Sequence, residues 1–370
     1  MLTILISAAA AGALPDSYLE RTCVALEACR ACLPSMQPPA EAAAAHLAAG
    51  GKLWIAGQSS MTSELTGRAG GFMMARGLRG ETAGTGDVVL YFVEPDMPAP
   101  DAAALGGYVV YFGGGPREDA PWFSNHAAES GLSPTFANAI PGWLFTGELI
   151  AALTRLGKMP VVYESIGMYD GIARMQQYKN GETAFHDDLT VPPVAHGVTG
   201  NRFADIVAGM LRRVAREEQA RLECAGAWAR EAREAGKRLY MYSMGHLFPD
   251  EVGKTAMGEL FHSDVWNAGF RRHAKPGDAF GGGDFVALIG YQHAPDDLLL
   301  RARSAGARAA YVTLHAARDY ANDSGVVWID PMWDWPDACV PLEGYDVPLL
   351  AASGIVNGAI AWEIYQLTTR

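Results

Sequence analysis

Basic residues are scarce in this chain, and they are not clustered. Lysine and arginine together number 29 against 41 aspartates and glutamates, which gives a net charge of −12 at neutral pH. A nucleic-acid surface needs grouped lysines and arginines that neutralise phosphates. The composition therefore argues against a nucleic-acid partner.

Cysteines and cofactor motifs are equally sparse. The chain has five cysteines, and only Cys29 and Cys32 have the spacing of a redox pair. That pair lies in a helical pattern and not beside a strand, so we interpret both thiols as packing residues. The sequence has no Walker loop and no nucleophile elbow, and its glycine triplets at 113–115 and 281–283 are not dinucleotide fingerprints. We therefore expect no cofactor.

Long hydrophobic runs are also missing. Residues 2–14 are thirteen apolar or small residues, whereas a membrane span needs about 20. No basic residue precedes this run, although a secretory signal normally has one there. We treat residues 1–15 as an apolar leader and predict a cytoplasmic protein without membrane contact. Cleavage of the leader and export are the open alternative.

The most informative stretch is residues 52–71, KLWIAGQSSMTSELTGRAGG. The apolar run LWIA is typical of a parallel strand covered on both faces, and Gly57 ends it. A helix that begins in the hydroxyl-rich turn after this strand would present backbone N–H groups that favour an anion. The candidate binding groups of this turn are Gln58, Ser59, Ser60, Thr62 and Ser63. The alternative is that they only cap the helix.

The plan of this stretch recurs in the second half of the chain. The second stretch is residues 237–258, KRLYMYSMGHLFPDEVGKTAMG, where Gly236-Lys237 matches Gly51-Lys52 and Gly253-Lys254 matches Gly67-Arg68. Each stretch continues into a strand that opens on Gly-Asp, at Asp87 and Asp284, and then into a short helix and a third strand. Repetition in this order indicates two related α/β units.

The length of the chain agrees with two units. A chain of 370 residues exceeds the size at which single hydrophobic cores usually stop growing. We place the first domain at residues 16–200 and the second at residues 201–370.

These stretches resemble the sugar isomerase (SIS) phosphosugar-binding family. The resemblance depends on GGKLWIAGQSSMTSELTGRAGG and GDVVLYFV in the first half, and on GDFVALIGYQHAPDDLLLRARSAGARAAYVTL and LLAASGIVNGAIAWEIYQL in the second. It implies two flavodoxin-like three-layer α/β/α units with mostly parallel sheets, arranged as a pseudo-dimer, and it leaves a homodimer open. Members of the family bind phosphorylated sugars, and they include aldose–ketose isomerases and sugar-sensing regulators.

The sequence departs from the family pattern where phosphate would be held. The family's first hydroxyl turn falls on residues 58–63, but its second, a Ser-Gly-x-Thr pattern, falls on Glu94-Pro95-Asp96-Met97. In the second half the two turns have few hydroxyls, and their binding candidates are Ser243 and His293. The requirement for phosphate is therefore left open.

Sugar isomerisation needs a base, usually a carboxylate, and often an imidazole. Glu64 and Glu251 lie about one helical turn past the two first-strand turns. His246 lies at the expected carboxyl end of a parallel strand, where open α/β sheets bind ligands. These three residues are the catalytic candidates. We predict no metal site, because nothing in the sequence fixes the geometry of the other polar group, His186, Asp187, Asp188 and His196.

The sequence therefore predicts binding of a phosphorylated or acidic sugar derivative, with aldose–ketose isomerase-type activity as the enzymatic hypothesis. The missing second hydroxyl turn favours a competing hypothesis, a non-catalytic sugar-binding regulator or a structural pseudo-dimer. A nicotinamide-dependent oxidoreductase is the third hypothesis, and the absent dinucleotide fingerprint argues against it.

Overall fold

The structure is a computed structural model, and it describes residues 14–166, 170–243, 248–262, 280–290, 296–314, 324–334 and 336–370. Residues 16–200 are termed the first half and residues 201–370 the second half. Of the apolar leader, residues 1–13 lie outside the described residues.

The first half is built around a five-stranded parallel sheet in the order β2-β1-β3-β4-β5. Its strands are β1 (Leu53–Gly57), β2 (Arg76–Gly77), β3 (Val88–Phe92), β4 (Tyr108–Phe112) and β5 (Trp122–Phe123). This is the strand order of flavodoxin-like sheets. The helices are α1 (Tyr18–Ala31), α2 (Leu33–Ala48), α3 (Ser59–Leu65), α4 (Ala102–Leu105), α5 (Ala127–Ser130), α6 (Pro134–Ala137), α7 (Ala139–Arg155) and α8 (Gly171–Gln177).

The second half has a parallel sheet whose described strands follow the order β6-β7-β8-β9. The strands are β6 (Leu239–Ser243), β7 (Phe285–Ile289), β8 (Arg308–Val312) and β9 (Val326–Ile329), followed by an antiparallel pair, β10 (Ala338–Val340) and β11 (Leu349–Ala351). The helices are α9 (Val198–Glu217), α10 (Gln219–Glu234), α11 (Phe248–Lys254), α12 (Ala256–Leu260), α13 (Asp296–Ser304) and α14 (Ser353–Thr369). Helix α9 begins three residues before the boundary of the halves and is counted with the second half. His262 pairs in parallel with Tyr240 of β6, as β2 pairs with β1.

The predicted fold class, α/β with mostly parallel sheets, is confirmed. Alternate residues of each strand face opposite sides of the sheet. Leu53 and Ile55 of β1 and Leu239 and Met241 of β6 enter one continuous core, which also contains residues of the long helices. The outer faces pack in separate clusters, against α4 in the first half and α13 in the second.

The repeated Gly-Asp pair has a structural explanation. Asp87 accepts the backbone N–H of Lys52 at 2.9 Å and that of Gly84 at 3.0 Å. Asp284 accepts the backbone N–H of Arg238 at 3.1 Å and that of Gly281 at 2.7 Å. In each half, one carboxylate therefore joins the turn before the second predicted strand to the start of the first.

The leading helix of each half packs against the other half. Helix α1 packs on α9 and α14, and α9 packs on α1 and α7. Glu363 of α14 accepts the backbone N–H of Leu19 at 3.2 Å, and Glu148 of α7 accepts that of Gly197 at 3.0 Å. A carboxylate stabilises the start of a helix because it accepts hydrogen bonds from the N–H groups there and is attracted by the positive end of the helix dipole.

One helical stretch of the described residues, Pro134–Arg155, has the length and apolar character of a membrane span. Its most apolar window is wholly buried in the protein, so we interpret the stretch as a core helix. The predicted cytoplasmic location stays a prediction.

Candidate functional site

The carboxyl ends of the neighbouring strands β1 and β3 lie side by side, and the space outside them is termed the crevice. The order of the sheet reverses at this point, because β2 lies on one side of β1 and β3 lies on the other. Open α/β sheets bind their ligands in the crevice outside such a reversal. Helix α3 leaves the sheet after β1, and the loop that starts at Val93 leaves it after β3.

Two of the five polar residues in the hydroxyl-rich turn before and within α3 are folded into the core. Gln58 and Ser60 are 2% and 1% exposed. The Gln58 amide donates to the Ser60 hydroxyl and, at 2.9 Å, to the carbonyl oxygen of Thr135. These two candidate groups therefore hold the turn together from inside. The members of the turn with solvent contact are Ser59, Thr62 and Ser63.

The accessible part of this turn meets a lysine from the second half. Lys254 is the last residue of α11, which packs against α3. Its Nζ donates to the Ser59 hydroxyl at 2.9 Å and lies 3.4 Å from Glu94 Oε1. Ser59 follows β1 and Glu94 follows β3, so the ammonium group lies between the two strand ends. The Lys254 side chain is 53% exposed, which leaves it accessible to a ligand.

A chain of hydrogen bonds connects this edge to the second half. Asn138 Nδ2 donates to Gln58 Oε1 at 2.8 Å, and Asn138 Oδ1 accepts from Asn125 Nδ2 at 2.8 Å. The Thr135 hydroxyl donates to the Glu251 carboxylate. Because buried polar groups are costly to leave unpaired, this chain fixes the relative positions of the segments that carry it.

An open cavity of about 640 Å³ lies beside the crevice, on the loops that follow β3, β4 and β5. Its charged walls are Glu94, Asp96 and Arg117, and residues 114–115 contribute to its floor. The rim includes Met97, which is 61% exposed. A concave space with apolar walls and a few polar groups is typical of small-molecule sites.

Arg117 is held in this cavity by neighbouring aspartates. Its Nε and Nη2 donate to Asp119 at 2.8 and 2.9 Å, and Nη2 lies 3.3 Å from Asp101. The guanidinium lies over the Tyr111 ring, 4.1 Å from its centroid. Hydrogen bonding with Asp119 raises the pKa of Arg117, and the same contact lowers the pKa of Asp119 to about 2. Both groups are therefore charged at neutral pH.

Glu64, the first catalytic candidate, is enclosed by its own partners. It is 0% exposed and accepts from Trp143 Nε1 at 3.0 Å. Arg68 Nη1 lies 3.4 Å from Glu64 Oε2, and Arg68 Nη2 donates to Asp337 at 2.9 Å and to Ser353 at 2.6 Å. Glu64 thus ties α3 to the C-terminal part of the chain, and its catalytic role stays a prediction.

Glu251, the second catalytic candidate, has a matching environment. It is 1% exposed, accepts from Trp362 Nε1 at 3.0 Å and accepts from the Thr135 hydroxyl. Burial, followed by the charge of Glu251, raises the pKa of Tyr18. In both halves, the glutamate on the helix after the first strand is therefore buried against a tryptophan of α7 or α14. The catalytic role of Glu251 also stays a prediction.

The remaining candidates belong to the second half. His246 and His293 lie outside the described residues, and so does the side chain of Ser243, whose backbone ends β6. Their predicted roles in catalysis and binding stay predictions.

The polar residues considered as a metal site are held apart by other partners. The His186 ring lies between Tyr178 and Tyr345, with nitrogen to oxygen distances of 3.2 and 3.0 Å. Burial is the main cause that lowers the pKa of His186. His196 Nδ1 lies 2.6 Å from Glu148. Among the described residues, no group of three or more His, Cys, Asp or Glu side chains is arranged to hold a metal ion.

The sequence alone predicts no role for Lys254, Asn125 or Asn138, and Glu94 is noted there only because the family pattern has a hydroxyl residue at its position. The signal available for Lys254 was the match between Gly67-Arg68 and Gly253-Lys254. A paired arrangement of the two halves would bring the second of these segments against the first hydroxyl turn.

Comparisons with known proteins give structural likenesses only. No protein-family model matches the chain, and no curated protein matches its sequence. A similar solved structure is the C-terminal domain of glucosamine-fructose-6-phosphate aminotransferase from Francisella tularensis, at 10% identity and a TM-score of 0.48, covering 95% of this chain and 94% of that one. Another, from Salmonella typhimurium LT2, has a sugar-binding designation, with 10% identity, a TM-score of 0.45 and coverage of 95% and 98%. At this identity both likenesses concern the course of the backbone alone.

Proposed function

We propose that this protein binds a sugar derivative in the crevice between β1 and β3 and in the cavity beside it. The class of ligand comes from the resemblance of the sequence stretches to the SIS family, which suggests a phosphorylated or acidic sugar derivative. The observation that carries the site is the position of Lys254. Its Nζ reaches Ser59 and Glu94, the residues that flank the reversal of the sheet.

The composition of the crevice supports a polyhydroxylated ligand. Ser59 can donate and accept, Glu94 accepts and Lys254 donates, so hydroxyl groups of a sugar find both kinds of partner. The Lys254 side chain is 53% exposed, so a ligand has access to it. Charge-assisted bonds of this kind are stronger than neutral ones.

Binding without isomerisation is the better supported form of this proposal. Proton transfer requires a base within hydrogen-bond reach of the substrate. Glu64 and Glu251 are 0% and 1% exposed, and each accepts from a tryptophan at 3.0 Å. Both carboxylates are therefore buried and already accept hydrogen bonds from other side chains of the protein. Aldose–ketose isomerisation is the second candidate, and it depends on His246.

We further propose that residues 16–200 and 201–370 are divergent copies of one unit, paired as a pseudo-dimer. The two sheets share their strand order, and His262 takes the place of β2 beside β6. If α1 corresponds to α9 and α7 corresponds to α14, then the contact of α1 with α14 matches the contact of α9 with α7. This arrangement explains why a second-half lysine reaches a first-half turn.

The test is a thermal-shift panel of hexoses, N-acetylhexosamines, their phosphate esters, sugar acids and inorganic phosphate. A ligand at a hundred times its dissociation constant stabilises the folded state by about 2.7 kcal/mol. We expect at least one sugar to raise the melting temperature of the wild type, and Lys254→Met to abolish that rise. Arg216→Met is the matched control, because it removes a cation that is 68% exposed on α9.

A ligand found in this way is then incubated with the protein and followed by proton NMR. An unchanged spectrum supports binding alone, whereas interconversion of aldose and ketose supports the second candidate. The proposal is wrong if no sugar shifts the wild type, or if Lys254→Met retains the full shift.

A further inference from the structure

The charged residues that line the cavity are two carboxylates, Glu94 and Asp96, and one cation, Arg117. The lining itself therefore carries a net charge of −1. Lys254 adds a second cation at the crevice beside Glu94. A phosphate ester brings a further charge of about −1.5 to −2 at neutral pH.

Each of the two cations already has an anionic partner. Arg117 is bound by Asp119 through two nitrogens, at 2.8 and 2.9 Å. Lys254 Nζ lies 3.4 Å from Glu94. A phosphate group in the cavity would have to compete with these carboxylates for the cations while being repelled by them. The electrostatic repulsion between a phosphate and a carboxylate is large where the groups are partly shielded from water.

The first hydroxyl turn offers only part of the compensation a phosphate would need. Gln58 and Ser60 bond each other in the core, at 2% and 1% exposure, so the accessible hydroxyls are those of Ser59, Thr62 and Ser63. Helix α3 has only seven residues, so its aligned peptide dipoles are few. The loop after β3 has Glu94 and Asp96 at the positions where the resembling family has hydroxyls. The loop after β3 therefore meets a phosphate with carboxylates and offers it no hydroxyl side chain.

The same walls suit an uncharged sugar. Carboxylates are strong acceptors for hydroxyl donors, and each carries two oxygens. Glu94 and Asp96 present such acceptors from one loop, and the exposed Met97 beside them offers an apolar surface for the C–H face of a ring. Lys254 supplies a donor whose Nζ lies 3.4 Å from Glu94 Oε1.

We propose that the ligand of this site is an unphosphorylated, uncharged sugar, and that Glu94 and Asp96 select it against phosphate esters. This inference depends on the proposed binding of a sugar at this site, and it replaces the phosphorylated or acidic class that the SIS resemblance suggests with an uncharged one.

The experiment is isothermal titration of the full chain with two probe pairs, glucose and glucose 6-phosphate, and N-acetylglucosamine and its 6-phosphate. For whichever pair binds the wild type, we expect the unphosphorylated sugar to have at least about tenfold higher affinity than its 6-phosphate. In the Glu94→Gln, Asp96→Asn variant, we expect that ratio to fall by about tenfold, because amides keep the shape and remove the charges. The matched control, Glu81→Gln with Glu234→Gln, removes two exposed carboxylates elsewhere and should leave the ratio unchanged.

The outcomes separate this inference from the proposed function. An ester that binds the wild type more tightly than its parent overturns the inference and leaves sugar binding standing. An unchanged ratio in the double variant overturns the role of Glu94 and Asp96. If no probe binds and the wider panel of sugars also fails, both proposals are wrong. The wild-type ratio needs no variant, so it decides the charge preference even if the double variant does not fold.

Discussion

The two halves have a basic residue at matching points of their sequences and use it in opposite ways. Arg68 is 2% exposed and forms ion pairs with Glu64 and with Asp337 of the second half. Lys254 is 53% exposed and lies at the crevice of the first half. The comparison teaches that both residues contact the other half, but Arg68 does so in a buried ion-pair network and Lys254 does so with a side chain that solvent reaches.

The comparison extends to the glycine that allows the buried network. An added Cβ at Gly354 would lie 2.1 Å from Glu64 Oε1, so only glycine lets α14 approach this carboxylate. Gly67 and Gly253, directly before Arg68 and Lys254, each have nothing within 4 Å of an added Cβ. The two positions therefore differ at the basic side chain, which is buried against Glu64 and Asp337 for Arg68 and is exposed for Lys254.

The largest expected effect comes from Arg68→Met. Removal of one partner of a buried ion pair leaves an uncompensated charge and costs about 3–5 kcal/mol. Lys254→Met removes an exposed pair, whose contribution is about 0–1 kcal/mol. Urea unfolding of both variants measures the difference. Equal losses of unfolding free energy would contradict the contrast between the two positions.

The next effect tests a similarity between the halves. Trp143→Phe and Trp362→Phe each remove an N–H donor to a buried glutamate, at 3.0 Å in both halves. Hydrogen bonds to charged groups contribute about 1.5–3 kcal/mol, so we expect losses of that size in both variants. Trp122→Phe is the control, because Trp122 Nε1 donates to the neutral carbonyl of Gly113 and its loss should cost about 1 kcal/mol. A loss in only one of the two tested variants would break the similarity.

The smallest effect concerns the Gly-Asp pair and is dependent on pH. Burial alone would raise the pKa of Asp87, but hydrogen bonds from Trp54, Lys52 and Gly84 outweigh it and lower the pKa. Its carboxylate therefore stabilises the fold above the pKa of the unfolded chain, and this contribution is lost as the pH falls through the folded-state pKa. We expect Asp87→Asn to cost about 1 kcal/mol at pH 7.

Urea unfolding across the acidic range checks this expectation. The difference between wild type and Asp87→Asn should shrink as the pH falls below the ordinary range of an aspartate. A difference that grows toward acid would mean that the folded-state pKa is raised instead of lowered.

The framework of the fold was predictable because its signals are local. Strands such as β3 and β4 are continuous apolar runs bounded by glycine or a loop, and their alternation with helices predicts parallel sheets. The strand β2, with only Arg76 and Gly77, has no such pattern. A strand of two residues has no hydrophobic periodicity, so it could not be predicted from the sequence.

The site was only partly predictable, because its polar groups come from distant segments. Gln58 and Ser60 were read as ligand-binding groups from their chemistry, yet Asn138 and Thr135 draw Gln58 into the core. Glu64 lies on a seven-residue helix, too short to reveal from its pattern which face is buried. Contacts across the two halves, such as that of Lys254 with Ser59, join residues far apart in the sequence, and the signal for this one was the repeat of Gly67-Arg68 at Gly253-Lys254.

The central claim is that a sugar binds at the first-half crevice and cavity, and the methyl group of Met97 reports on it most directly. Met97 lines the cavity and is 61% exposed, whereas Met210 lies on α9, outside the cavity. We would titrate the sugar that stabilises the protein into a sample labelled with ¹³C at the methionine methyl groups, with Met97 assigned by Met97→Leu. The account predicts a saturable shift of the Met97 signal and a stationary Met210 signal. Saturable binding that leaves the Met97 signal unmoved would contradict it.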